Sequence, residues 1–366
     1  MRNGEKDGIA KMQFGLFSNN RRPKRRLGEG WELDLEEARA ADEAGFAEAW
    51  FSEHEAPAEP MIARASAITK QIKLGPAVRP LPFYHPIQVA LDCNASDQLT
   101  NGRYMLGLGT GFRPHRVAWR GHDPATMREM TRESLDVILR LLKNRPEPFD
   151  LDGQFWKGKQ LFLDIAPVQL PHPPIAMSVA NSRDSARLCG RLGMMMLTSD
   201  FATNRHLREL GDGLVEGQLG AGRPSARGDL RACRVVYVAA TDREARDDMR
   251  ESYNETIAWE VANTPWHQQE RIPAGGSFAD INFDYLVDTG NLFVGSAETV
   301  RQMIESFHAD VGGFGTLLFH SGRDYATPEK VRASIRAFAR DVAPRLHDLQ
   351  PGPQGGTVPD AAQAPG

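Results

Sequence analysis

The chain has 366 residues, a formal charge of −4, 41 % apolar and 25 % charged residues, the balance of a globular protein that buries a core without disulfide or metal staples. That charge gives no global case for nucleic acid or an anionic membrane as partner, and no apolar run approaches the roughly 18 residues that cross a bilayer. Cys93, Cys189 and Cys233 lie far apart with no CxxC pair, which gives no zinc signature, suits a reducing compartment and makes the cytoplasm the expected location.

In chain order, MQFGLF (12–17) is a short apolar strand bounded by an Asn-Asn-Arg-Arg-Pro loop. The basic run RRPKRR (21–26) has no interleaved aromatics and reads as a solvated loop. Asp34 precedes LEEARAADEAG, a helix with acids early and Gly45 at its end. FAEAWF (46–51) is a strand, MIARASAITK a helix, IKLGPAV (72–78) a strand, and PIQVALDCNASDQL a helix opened by Pro86. RYMLGLG (103–109) is the fourth strand, and 127–142 an amphipathic helix with Met130, Val137, Ile138, Leu141 and Leu142 on one face.

The alternation continues with strands at 175–180, 194–199, 233–240 and 315–320. Helices are expected over SRDSARLCGRLG, NRHLRELGDGLVEGQLG and TDREARDDMRESYNETIAWEV, and over SAETVRQMIESFHAD with Ser296 as N-cap. The last helix, TPEKVRASIRAFARDVAP, turns Val331, Ile335, Phe338 and Val342 inward. Eight short apolar strands, most followed by a helix, predict an α/β fold of the (β/α)8 TIM-barrel type, with a doubly wound sheet as competitor. Two segments interrupt the pattern: 146–174, a hairpin with a proline-rich return, and 263–292, an insertion or lid. One domain over 12–348 is expected, between a flexible N-terminus (1–11) and a disordered Pro/Gly/Ala tail (349–366).

The stretch GRYMLGLGTGF (102–112) looks like a dinucleotide loop. That fingerprint needs G-x-G-x-x-G after the first strand and opening a helix, whereas Gly107, Gly109 and Gly111 follow the fourth strand, position 112 is Phe, and no helix starts at once. The alternative is small residues at a strand end that clear space for a large flat ligand.

The segment KLGPAVRPLPFYHPIQVALDCNASDQLTNGRYMLGLGTGF (73–112) closely resembles the bacterial luciferase-like, flavin-dependent monooxygenases. MQFGLF, AWFSEHEA (49–56), SVANSRDSARLCGRLG and LVDTGNLFVGSAETVRQMIESFHADVGGFGTLLFH do so too, in the same order. The last of these is most similar to the diketocamphane-type, two-component members that depend on reduced FMN. The resemblance implies a homodimer with a flavin at the barrel mouth and a non-prolyl cis peptide at Ala77–Val78 against the flavin ring. It puts His54 beside flavin and substrate as the catalytic residue, with Glu53 next to it. Thr110 is implied at the flavin, and Asn181, Ser182, Arg183 and Ser185 at its phosphate. For Ser182, plain helix N-capping is the alternative, and helix dipole and backbone N–H groups suit an anion there. His85, Arg79, His320 and Trp266 are candidates for the substrate pocket, His85 equally for capping the helix it precedes. Asp97 and Arg103 read as structural, and no metal is expected.

Gly109 stands where luciferase has its reactive cysteine, and Thr110 where it has a phosphate-binding arginine, so light emission is not implied. The function implied is monooxygenation of a small organic substrate by reduced FMN and O2 through a flavin C4a-peroxide. A separate reductase would supply the flavin, because the chain has no NAD(P)H fingerprint. A deazaflavin-dependent oxidoreductase of the same superfamily and a non-catalytic flavin-binding protein are the alternatives.

Overall fold

The computed structural model describes residues 11–352 apart from 55, 112, 144–146 and 225. The expected flexible start and most of the expected tail lie outside the described residues. The described chain forms two compact units: Gly15–Ser178 with Phe319–Ala339, and Val179–Leu318 with the stretches up to Phe14 and from Arg340 on.

The first unit carries most of β1 (Gln13–Ser18), then β2 (Glu48–Phe51), β3 (Lys73–Pro76), β4 (Arg79–Pro80) and β5 (Leu106–Gly109). It also holds the hairpin β6 (Phe149–Asp152) and β7 (Lys157–Leu161), and β8 (Ile175–Ser178). Its helices are α1 (Leu27–Glu43), α2 (Glu59–Ile68), α3 (Pro86–Leu99), the short α4 (Pro114–Ala118) and α5 (Met127–Lys143). The second unit adds α6 (Arg183–Leu192), β9 (Met195–Leu197), α7 (Asn204–Gly220), β10 (Leu230–Val238), α8 (Asp242–Asn263), α9 (Phe283–Asp288), β11 (Leu292–Gly295) and α10 (Ala297–Val311). β12 (Thr316–Ser321) and α11 (Pro328–Asp341) follow.

β1 pairs with β2 and β2 with β3, all parallel, putting Leu16 opposite Ala49 and Trp50 opposite Gly75. β4, β5 and β8 are likewise parallel, as are β9, β10 and β11. Within the first unit the parallel strands run β3–β2–β1 and β8–β5–β4, and within the second β9–β10–β11. β2, β5, β9 and β11 are buried at every position, and apart from Glu48 they carry only apolar residues and glycine, as strands covered on both faces require. In the second unit α6 and α7 pack backbone to backbone: a Cβ on Gly190 would lie 2.0 Å from the Leu214 carbonyl, and one on Gly217 2.0 Å from that of Arg187.

The structure differs from the expectation in several places. LFVG, passed over within and beside the 263–292 segment, is strand β11, its residues paired with Val235–Val238. The expected strand 72–78 is broken after Pro76, and the Ala77–Val78 peptide that follows is cis. Helix α1 starts at Leu27, so Asp34 lies inside it and does not precede it. Finally, RRPKRR is not wholly solvated. Arg22 is 5 % exposed, its guanidinium bonded to Asp34 and Glu37 of α1 and to the Arg323 carbonyl, because two buried carboxylates on one helix face require a cation. No helix among the described residues is long and apolar enough to cross a membrane.

Candidate active site

The three glycines at the C-terminal end of the fourth expected strand have a packing role. A Cβ on Gly107 would sit 1.9 Å from the Pro76 carbonyl oxygen, and one on Gly109 2.3 Å from Val78 Cγ2 and 2.9 Å from Ser178 Oγ. The space they clear is therefore already filled by the bend at 76–78, and their smallness lets that bend seat on β5. Gly111 has a positive φ of 74°, and a Cβ there would also meet Pro80. Beside this bend, Thr110 Oγ1 accepts a 3.2 Å hydrogen bond from Thr131 Oγ1 on α5.

Just past β2, Glu53 is 4 % exposed and His54 partly buried. Glu53 Oε1 accepts from Tyr84 Oη at 2.7 Å, while Oε2 is buried with no hydrogen-bond partner among the described residues. Arg116 donates to the Glu53 main-chain carbonyl at 2.9 Å, yet its guanidinium stays 3.8 Å from the carboxylate. Burial, outweighing the Tyr84 hydrogen bond, pushes the Glu53 carboxyl up to about 7. It can therefore hold or release a proton near neutrality, as catalytic acids and bases require.

The other sequence candidates divide. The Arg79 guanidinium is bonded to Glu59 (2.5 Å) and Asp92 (2.6 Å) and stacks 4.1 Å over the Tyr84 ring, so its charge is spent within the fold. His85 caps α3, its Nδ1 accepting from the Ile87 N–H at 3.3 Å, with its ring edge-on to Trp156. His320 is buried on β12, edge-on to Phe17 at 5.7 Å. Asp97 and Arg103 are structural as expected: Asp97 accepts from the backbone and side chain of Gln169, and Arg103 donates to Thr69, Ile72 and Ser66.

In the second unit, Ser182 is the N-cap of α6, its Oγ accepting from Ser185 N–H at 3.2 Å, with exposed Asn181 before it. Arg183 is paired with Glu216, which also accepts from Arg187 at 2.8 Å. The inserted segment is tied down by Arg271, which donates to the Asp200 carbonyl at 2.7 Å and lies over the Phe201 ring, and by His267 stacked 4.7 Å from the same ring. Trp266 is in the 3-10 turn Pro265–His267, its side chain outside the described residues. Sequence reasoning missed Tyr84, Arg116 and Arg271, which no spacing marks as partners. It also passed over Asn19, although polar residues directly after an apolar strand were a usable signal.

Parallel strands alternating with helices, with titratable groups gathered just past strand C-terminal ends, define a barrel enzyme. The chain belongs to the luciferase-like monooxygenase family, whose profile matches residues 12–313. It is 32 % identical over 359 residues to 4-hydroxyprotoasukamycin monooxygenase of Streptomyces nodosus subsp. asukaensis, covering 93 % of each chain. Its fold matches the oxygenating constituent of 3,6-diketocamphane monooxygenase from Pseudomonas putida, a Type II Baeyer–Villiger monooxygenase in complex with FMN. The TM-score is 0.80 at 27 % identity, over 92 % of this chain and 99 % of that one. The coenzyme F420 dependent tetrahydromethanopterin reductase of Methanopyrus kandleri shares the fold alone, with a TM-score of 0.69 at 18 % identity over 92 % of this chain and all of that one. The fold class is thus the TIM barrel of this family.

Proposed function

We propose that this chain is the oxygenase component of a two-component monooxygenase, using reduced FMN and O2 to oxygenate a small organic substrate. A separate reductase supplies the reduced flavin, and the oxygenase works as a homodimer. Likeness over nearly its whole length to an FMN-complexed oxygenating constituent carries the reading. The residues present fit such a group. Ala77 and Val78 offer a small apolar surface to a flat ring, and the unpartnered Glu53 Oε2, protonated below about pH 7, is a donor awaiting an acceptor. The N-terminus of α6 supplies phosphate-type donors: backbone N–H groups, Asn181 and the Ser182 and Ser185 hydroxyls, with Arg183 adding charge shared with Glu216.

When bound, reduced flavin supplies the activation of O2, which no side chain can provide. The chain's own contribution is to orient the ring, exclude water and hold protons. Glu53 keeps one at its carboxyl, and the His54 imidazole donates to or accepts from a developing oxygen.

The test is anaerobic titration with reduced FMN, reduced riboflavin and a reduced deazaflavin. Reduced FMN should bind tightest, and Ser182→Ala should weaken FMN by about tenfold, roughly 1.4 kcal/mol, while leaving riboflavin unchanged. Preference for the deazaflavin would replace this reading with that of a hydride-transferring oxidoreductase.

A further inference from the structure

We propose that Asn19 is a positioning residue that holds His54 in the tautomer protonated on Nε2, so that His54 presents an N–H donor and not a lone pair to the reacting side. This rests on reading His54 as the group that faces the reaction.

Asn19 follows β1 directly and is 4 % exposed. Its main chain is pinned from two directions: its N–H donates to the Ser321 carbonyl at 3.0 Å, and its carbonyl accepts from Ser52 Oγ at 2.5 Å. Asn20, in the left-handed region with φ 52°, braces the same turn by accepting from Ser18 Oγ and donating to the Ser52 carbonyl. The Asn19 side chain therefore has little freedom except rotation of its amide.

That rotation is settled by chemistry. One end of the amide faces Arg323, with contacts of 2.6 Å to Nε and 2.5 Å to Nη2, and the other faces His54 Nδ1 at 2.5 Å. A guanidinium only donates, so the end beside it must be the carbonyl oxygen, and the NH2 must face His54. An amide NH2 also only donates. His54 Nδ1 must then offer its lone pair, which leaves the ring proton on Nε2.

The orientation is set from behind. Arg323 is 7 % exposed, and its carbonyl accepts from Arg22 Nη1 at 2.5 Å. Arg22 is held by Asp34 and Glu37, and Glu37 Oε2 also accepts from the Gly322 N–H at 3.3 Å. A chain of donors and acceptors thus runs from α1 carboxylates through Arg22 and Arg323 to Asn19 and His54. Second-layer partners that orient an imidazole in this way are known determinants of its role.

The direct test is long-range 1H–15N correlation on the full chain labelled at histidine, without cofactor, with His54 assigned by its loss in His54→Gln. Wild type should show a pyridine-type Nδ1 and a pyrrole-type Nε2. Asn19→Asp, which turns the donor into an acceptor, should give the reverse pattern or protonate both nitrogens. Arg323→Gln should release the amide and give averaged shifts. A pyrrole-type Nδ1 in wild type overturns the proposal even if neither variant folds. The measurement needs no cofactor, so it stands or fails independently of whether the chain uses reduced FMN.

Discussion

Tyr84 Oη donates to Glu53 Oε1 at 2.7 Å, and the second oxygen of that carboxyl is buried without a partner among the described residues. A carboxyl in this position is more easily kept neutral than charged, and its affinity for a proton rises from the ordinary 4.5 to about 7.

The folded state therefore holds the Glu53 proton more tightly than the unfolded chain. Its stabilisation is full below about pH 4.5 and is lost as pH rises towards 7, up to roughly 3 kcal/mol. Glu53→Gln keeps the bond from Tyr84 and cannot ionise. Relative to wild type, the variant should gain stability progressively between pH 5 and pH 8, by about 1–3 kcal/mol in urea unfolding. A difference that does not change with pH would show that Glu53 titrates normally.

The bend at 76–78 depends on glycines of β5. Gly107→Ala would place a methyl 1.9 Å from the Pro76 carbonyl oxygen, and Gly109→Ala one 2.3 Å from Val78 Cγ2. Each should cost about 1–3 kcal/mol, the former more because backbone must move. Gly220→Ala, with nothing within 4 Å of the new methyl, serves as control and should leave stability unchanged or raise it. Equal thermal midpoints for Gly107→Ala and Gly220→Ala would rule out this role for β5.

Within the basic run, Arg22 and Arg26 should behave oppositely. Arg22→Met strands Asp34 and Glu37 in the interior and should destabilise by about 3–5 kcal/mol. Arg26, whose side chain is 87 % exposed and pairs at i,i+3 with Glu29, should tolerate alanine within about 0.5 kcal/mol. Denaturant midpoints of the two variants decide it, and similar losses would contradict the buried-pair assignment.

Much of the architecture was legible because period and punctuation agree: the apolar runs MQFGLF and GTLLFH fall on strands β1 and β12 to within a residue, and Ser296 caps α10 with its hydroxyl accepting from Thr299 N–H. LFVG escaped notice because four apolar residues beside a helix cap carry no distinguishing period, and only pairing with Val235–Val238 makes them a strand. At the site, the glycine spacing signalled close approach but not of what; the partner is the Pro76–Val78 bend, set by tertiary structure. The Arg22–Asp34–Glu37 cluster was hidden because a run of six mostly basic residues looks solvated until one of them is enclosed. Arg79 and His85 were read as pocket candidates, and the structure gives them fold contacts that spacing did not settle: ion pairing with Glu59 and Asp92 for the first, capping of α3 for the second.

The central claim, that this barrel uses reduced FMN with O2, is tested most directly by mixing the anaerobic enzyme–reduced FMN complex with oxygen in a stopped-flow instrument. Return of oxidised-flavin absorbance should be slower than for free reduced FMN by about tenfold or more, corresponding to roughly 1.4 kcal/mol of barrier, and His54→Ala should shorten the delay. Reoxidation as fast as in free solution, unaffected by His54→Ala, would contradict the account.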